Sequence, residues 1–380
     1  MSLRDRSYSV VKGAPWALKK LLRILFFRIP ARNYKTESSA QTSLIFSLSD
    51  DIFVEILSHF TTFKLHELYY RIDQLQKTVA ETRHLPRVYA TRHRILLTLT
   101  HACRDMRKRF SPWLLEHVQS LCVYKGFESD DQKRECRQLA RKSLLRQIKV
   151  LIASPTLAVH VQTMSINLHH QTISSIVQCL ALLPNLHTLE VTTSDNSRAV
   201  VKDAFTATRL PQVRTLAIDP DAHHIIRCCE NVKHVIIHRY SVLRPRYLKS
   251  ITQVKQSITR VGLCAFQPEV VGDLARLFPE LRELSLVQPF DVVGSLEHIS
   301  YFKRLRLLEL VQNPRCHLVF DSSWQDEPET TDQNASVMEH AITVLTRIRG
   351  HSKVLKMIII EKDSIWGDIR DVKTEVIEVP

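Results

Sequence analysis

Residues 183–191 read LPNLHTLEV, 210–218 read LPQVRTLAI, 278–286 read FPELRELSL and 302–310 read FKRLRLLEL. All four share one core pattern, apolar-x-x-apolar-x-apolar. The pattern recurs as Val161-Met164-Ile166, Leu186-Leu189-Val191, Val213-Leu216-Ile218, Val232-Val235-Ile237, Ile258-Val261-Leu263, Leu281-Leu284-Leu286, Leu305-Leu308-Leu310 and Leu355-Ile358-Ile360. The offsets between first members are 25, 27, 19, 26, 23, 24 and 50, so the last step is expected to hold a diverged unit between 311 and 350. A spacing of two at the end of each pattern predicts a short strand with one buried face. Helical stretches such as TISSIVQCLALL and PEVVGDLARLF follow the strands, and one such unit buries its leucines only by stacking on the next. A non-repeat parallel α/β domain is the competing reading.

Composition bounds the rest. The chain has 380 residues, 44% hydrophobic and 24% charged, within the globular range. Its net charge of +14 is unevenly placed. Residues 1–35 hold nine Lys/Arg against one acid, 36–120 eleven against nine, 121–150 eight against four, and 151–380 hold 25 of each. A basic groove over the repeats therefore has no support, and no nucleic-acid partner is expected. Seven glycines leave no G-x-G-x-x-G, Walker loop or G-x-S-x-G elbow. The histidine pairs at 169–170 and 223–224 lack i, i+4 metal spacing. No catalytic residue, metal site or cofactor is expected. Eight scattered cysteines without a C-x-x-C pair, and no secretory leader, fit an intracellular protein, cytoplasmic or nuclear.

The amino-terminal segment 1–43 is basic and partly amphipathic, with Trp16, Leu18, Leu21, Leu22, Leu25 and Ile29 interleaved with Lys19, Lys20, Arg23 and Arg28, followed by the linker TESSAQTS. It reads as a lead that packs on the next domain, or as a helix that touches an anionic membrane surface. Residues 44–120 read as helices. Ser49, Asp50 and Asp51 cap an apolar stripe of Ile52, Phe53, Ile56, Leu57 and Phe60, and a second stripe runs from Ile95 to Met106. A charged insertion lies near 61–91, a helical connector at 121–157, and the repeat domain at 158–380, with an acidic loop (DSSWQDEPETTD) near 321–332.

LSDDIFVEILSHF at 48–60 resembles the opening of the F-box of fungal F-box proteins, and ILLTLTHACRDM at 95–106 resembles its second half, with Trp113 and Val118 near the closing tryptophan. Ser49 stands where the family has proline, Met106 where tryptophan is common, and about 30 residues separate halves that normally lie close. The repeats resemble degenerate leucine-rich repeats, without the asparagine or cysteine usual after the third apolar position. The resemblance implies an α/β protein, a short helical F-box domain followed by an irregular leucine-rich-repeat solenoid. It implies a Skp-family adaptor, and through it a cullin, docked on Leu48, Ile52, Phe53, Ile56, Leu57, Phe60, Leu96, Leu99 and Cys103. A ubiquitin ligase subunit of this kind recruits a protein substrate; a repeat scaffold outside the ubiquitin pathway is the alternative.

The strand period assigns the residues between the apolar positions to the opposite face of the sheet. Glu190, Asp219, His238, Arg260, Glu283, Leu307 and Glu309 are the candidate partner-binding positions there, and Ile236, Val287, Leu307 and Val311 are expected to be exposed on that face.

Overall fold

The computed structural model describes residues 49–58, 84–85, 87–119, 122–123, 130–193, 198–237, 250–253, 258–264, 268–287, 292–312, 331–348, 352–362 and 369–379. The amino-terminal segment, the linker, Leu48, Phe60, most of the insertion, His238 and the acidic stretch to residue 330 lie outside them. The described chain divides into two units, with the division inside one helix between Phe110 and Ser111.

The smaller unit consists of α1 (Asp50–Ser58), α2 (Arg87–Ala102) and the first part of α3 (Arg104–Leu115). Asp50 and Asp51 place negative charge at the positive end of α1, and the Ser49 carbonyl accepts the first helical bond, from the Phe53 amide at 3.4 Å. Phe53, Leu57, Ile95, Leu96, Leu99, Met106 and Phe110 are buried. The Phe53 and Phe110 rings meet edge to face, centroids 4.9 Å apart, and the Arg109 guanidinium lies 4.4 Å from the Phe53 ring centre. Between α2 and α3 the Cys103 thiol accepts the Met106 amide at 3.5 Å, so a cysteine performs the capping role usually given to serine.

The larger unit is α/β. Two short strands, β1 (His84–Leu85) and β3 (Cys122–Val123), pair with each other. The remaining strands form one sheet of ten in the order β12-β11-β10-β9-β8-β7-β6-β5-β4-β2. These are β2 (His117–Gln119), β4 (Thr163–Leu168), β5 (Thr188–Thr193), β6 (Thr215–Ile218), β7 (His234–Ile237), β8 (Arg260–Cys264), β9 (Glu283–Val287), β10 (Leu307–Gln312), β11 (Lys353–Lys362) and β12 (Ile369–Val379). Every neighbouring pair is parallel except β11–β12. The crossovers carry α4 (Asp130–Ala153) and α5 (Pro155–Ala158), α6 (Ile173–Ala181), α7 (Arg198–Phe205), a 3₁₀ helix (Pro220–Cys228), α8 (Pro268–Leu277), α9 (Val292–Glu297) and α10 (Thr331–Arg347). Among the described residues no helix is long and apolar enough to cross a membrane.

Register explains the repeat. Met164, Leu189, Leu216, Val235, Val261, Leu284, Leu308 and Leu355 stand side by side across the sheet, and all eight are 0% exposed. They share one apolar core with Ile176 and Leu180 of α6, Phe205 of α7, Ile225 of the 3₁₀ helix, Leu274 of α8 and Leu345 of α10. The helices therefore cover this face. Ahead of β2 and of β4 through β9, one carbonyl accepts two successive amides from the next unit. The Gln162 carbonyl takes His187 and Thr188 (2.9 and 3.0 Å), His187 takes Arg214 and Thr215 (2.8 and 2.9 Å), and Arg214 takes Lys233 and His234 (2.8 and 3.0 Å). The same arrangement holds at Glu116, Lys233, Thr259 and Arg282.

Three expectations change. The 50-residue step adds no further strand between β10 and β11, which pair directly in parallel; among the described residues it carries α10. The last pattern is out of register: Leu355 matches Leu308, so Met357 faces inward and Ile358 lies on the opposite face. β11 is apolar on both faces (KVLKMIII), so its sequence admits two readings. The sheet also begins at His117, inside the stretch read as purely helical.

Leu216→Ala leaves a void in the fully buried row, and urea unfolding is expected to show a loss of about 2–5 kcal/mol, against under about 1 kcal/mol for a change at an exposed position such as Arg282.

Candidate functional site

The face of the sheet opposite the helices carries the row Ser165, Glu190, Ala217, Ile236, Gly262, Ser285, Glu309 and Lys356 in cross-strand register. A flanking row holds Thr188, Thr215, His234, Arg260, Glu283 and Leu307. These positions follow from the strand period, and their burial does not.

Glu309 is the centre of this face at its carboxy-terminal end. It is 5% exposed and accepts the Ser285 hydroxyl at 2.8 Å, Arg260 Nη2 at 2.9 Å and Lys356 Nζ at 2.9 Å. Its partners come from β8, β9 and β11, so one carboxylate ties four strands together. Arg260 also lies 3.7 Å from Glu283. Burial alone would raise the Glu309 carboxyl. The Lys356 hydrogen bond, the Arg260 charge and the Ser285 hydroxyl outweigh it and hold the group below the usual carboxylate range. At neutral pH the cluster is two cations with two anions, each already matched.

The other half of the face is also polar and buried. Glu190 is 0% exposed and accepts the Ser165 hydroxyl at 2.7 Å, and Asp219 accepts the Thr193 amide at 3.0 Å. Glu190, Asp219 and Glu309 are thus accessible to a partner only through their neighbours, whereas Arg260, Glu283 and Leu307 are half-buried. The expected exposure of Ile236 and Val311 is overturned, since both are buried at 6% and 0%. In a sheet this wide each side chain has one about 4.8 Å away on either side. A Cβ built on Gly262 would sit 3.4 Å from two Ile236 carbons, so Ile236 fills the space that glycine leaves.

On the helical unit, Phe53, Leu57, Leu96 and Leu99 are buried and Cys103 is half-buried beneath its capping contact. Ile52 at 44% and Leu97 at 40% are the large apolar side chains exposed there among the described residues. Leu97 escaped the sequence reading because the family pattern was matched on the helix face that turns out to be core. Ile56 is described only as a helical position.

Sequence reasoning also missed the turns. Asn185, Gln212 and Asn231 precede the first apolar residue of three units and donate to the carbonyls of Val159 (2.7 Å), Leu183 (3.0 Å) and Pro211 (2.9 Å) of the unit before. The same positions later carry Glu280 and Arg304, which form an ion pair at 2.6 Å. The alignment of the four quoted stretches contains that signal, as a polar residue always in the third place.

Buried thiols complete the inventory. Burial pushes Cys179 and Cys228 up to about 11 and raises Cys229 further, which leaves them protonated and unreactive at neutral pH. Among the described residues no group of three or more His, Cys, Asp or Glu could hold a metal ion. The sequence matches no protein-family model and no curated protein.

Glu309 titrates lower in the folded chain than in the unfolded one, so its stabilisation is full above the ordinary glutamate range and is lost as pH falls through the lowered value. Glu309→Gln leaves Arg260 and Lys356 without their anion and is expected to cost about 3 kcal/mol at pH 7. Urea unfolding between pH 7 and pH 3 should then show a flatter acid limb in the variant than in the wild-type chain.

Proposed function

We propose that the chain is a substrate-recruiting F-box subunit of a Skp-cullin-F-box type ubiquitin ligase, with no catalysis of its own. Its helical domain docks a Skp-family adaptor, the adaptor joins a cullin, and an irregular leucine-rich-repeat solenoid presents a protein substrate. Proximity is the contribution. The observation that carries the reading is that residues 50–58 and 95–106 of the F-box-like stretches lie in α1, α2 and the start of α3, in a unit separate from the sheet. Support for the solenoid comes from the parallel strands β4 to β10, spaced 19 to 27 residues apart, with one face under helices. The site of action is the cytoplasm or nucleus.

The burial of Phe53, Leu57, Leu96 and Leu99 leaves Ile52 and Leu97 as the exposed apolar side chains to which this reading assigns adaptor docking. It also favours a second reading, a repeat scaffold outside the ubiquitin pathway whose F-box has become a plain helical domain.

Binding of the full chain to a purified Skp-family adaptor separates the two. The ligase reading expects binding by the wild-type chain, and a drop of about tenfold or more in Ile52→Asp and Leu97→Asp, whose exposed sites leave folding intact. A wild-type chain that does not bind gives the protein to the scaffold reading. In either case Glu283→Gln with Leu307→Ala is expected to reduce substrate capture in cell extract while the chain stays folded, as its melting curve checks.

A further inference from the structure

The two edges of the ten-stranded sheet are unlike. β2 is three residues long, and its brevity protects it from pairing with another chain. β12 is eleven residues long and, among the described residues, pairs with β11 alone. Its outer positions are open: Thr374, Glu375 and Glu378 are exposed, and Val376 is 62% exposed. A long edge of free amides and carbonyls is a template for another strand.

The sequence of that edge, IRDVKTEVIEV at 369–379, says which strand fits. Two copies meeting antiparallel about a two-fold axis at Thr374 set Lys373 of each against Glu375 of the other and Val372 against Val376, with threonine opposite threonine at the centre. Between 371 and 377 only Asp371 against Ile377 lacks a match. The axis must stand perpendicular to the sheet to keep both polar faces on one side, so the register moves only in steps that recentre it on an adjacent residue. Centred on Lys373, the pairing opposes lysine to lysine. Centred on Glu375, it opposes glutamate to glutamate. The alternation of charge therefore selects one register and rejects both neighbours, which is what specific pairing requires.

We propose that the chain forms a symmetric dimer by antiparallel pairing of β12 with β12 about Thr374, which continues one sheet through two molecules. The interface is isologous, so it closes at two copies. The bulge lies in β12 itself, where Arg370 is passed over between the partners of Glu361 and Lys362; it falls just outside 371–377, so the pairing segment is regular. The proposal is independent of adaptor binding.

Sedimentation of the full chain across roughly 1 to 100 µM tests it. A reversible dimer is expected, with amides of 371–377 gaining hydrogen-exchange protection as concentration rises. Lys373→Glu puts glutamate against glutamate twice, by symmetry, and Glu375→Lys puts lysine against lysine twice. Each is expected to weaken the dimer about tenfold or more. The double variant with both substitutions restores opposite charges and is expected to dimerise like the wild type. A wild-type chain that stays monomeric throughout overturns the proposal. So do single variants that dimerise normally, or a folded double variant that fails to recover.

Discussion

One repeated interaction sets most of the larger unit: a single main-chain carbonyl, ahead of β2 and of β4 through β9, that takes two successive amides from the next unit. Most strands here are only four to six residues long, so their own ladders are short. A slip by one residue would turn every leucine away from the helices and every charge into the core. Fixing the starts of β4 through β10 against the preceding strands removes that freedom. The fully buried row from Met164 to Leu355 and the polar row from Ser165 to Lys356 are both consequences of that alignment.

The crossovers can differ because register is decided elsewhere. A 3₁₀ helix closes the 19-residue step between Val213 and Val232, and an α-helix of 17 residues spans the step between β10 and β11. Each brings its strand to the same lateral position. The tightest connection sits beside Cys228 and Cys229, whose small buried side chains let it approach the core; the Cys228 thiol donates to the Phe205 carbonyl at 3.2 Å. Their adjacency reflects packing, and their raised titration range agrees.

What could be read from sequence follows the range of the interaction. Strand positions and the inward rows were legible because period two and a near-constant repeat are local signals, present in LPNLHTLEV and FPELRELSL alike. The start of α1 just after Ser49 was legible for the same reason. The burial of Glu309 was not, because its cationic partners Arg260 and Lys356 lie 49 and 47 residues away in sequence. Nor was the role of Cys103, since a thiol cap resembles an apolar filler on paper. The register of β11 escaped because KVLKMIII presents apolar residues to both faces, and its pairing with β10 shows which face is which.

The carbonyls that align the strands belong to Glu116, Gln162, His187, Arg214, Lys233, Thr259 and Arg282, residues with no common side-chain chemistry beyond polarity. The function is a property of the backbone, so the genetic code can rewrite those side chains while the alignment survives. Divergence is then concentrated in solvent-facing positions and withheld from the inward leucines. A lineage of such chains would keep its architecture long after its members ceased to look alike, and the rhythm of apolar residues would be the last trace of shared descent to fade.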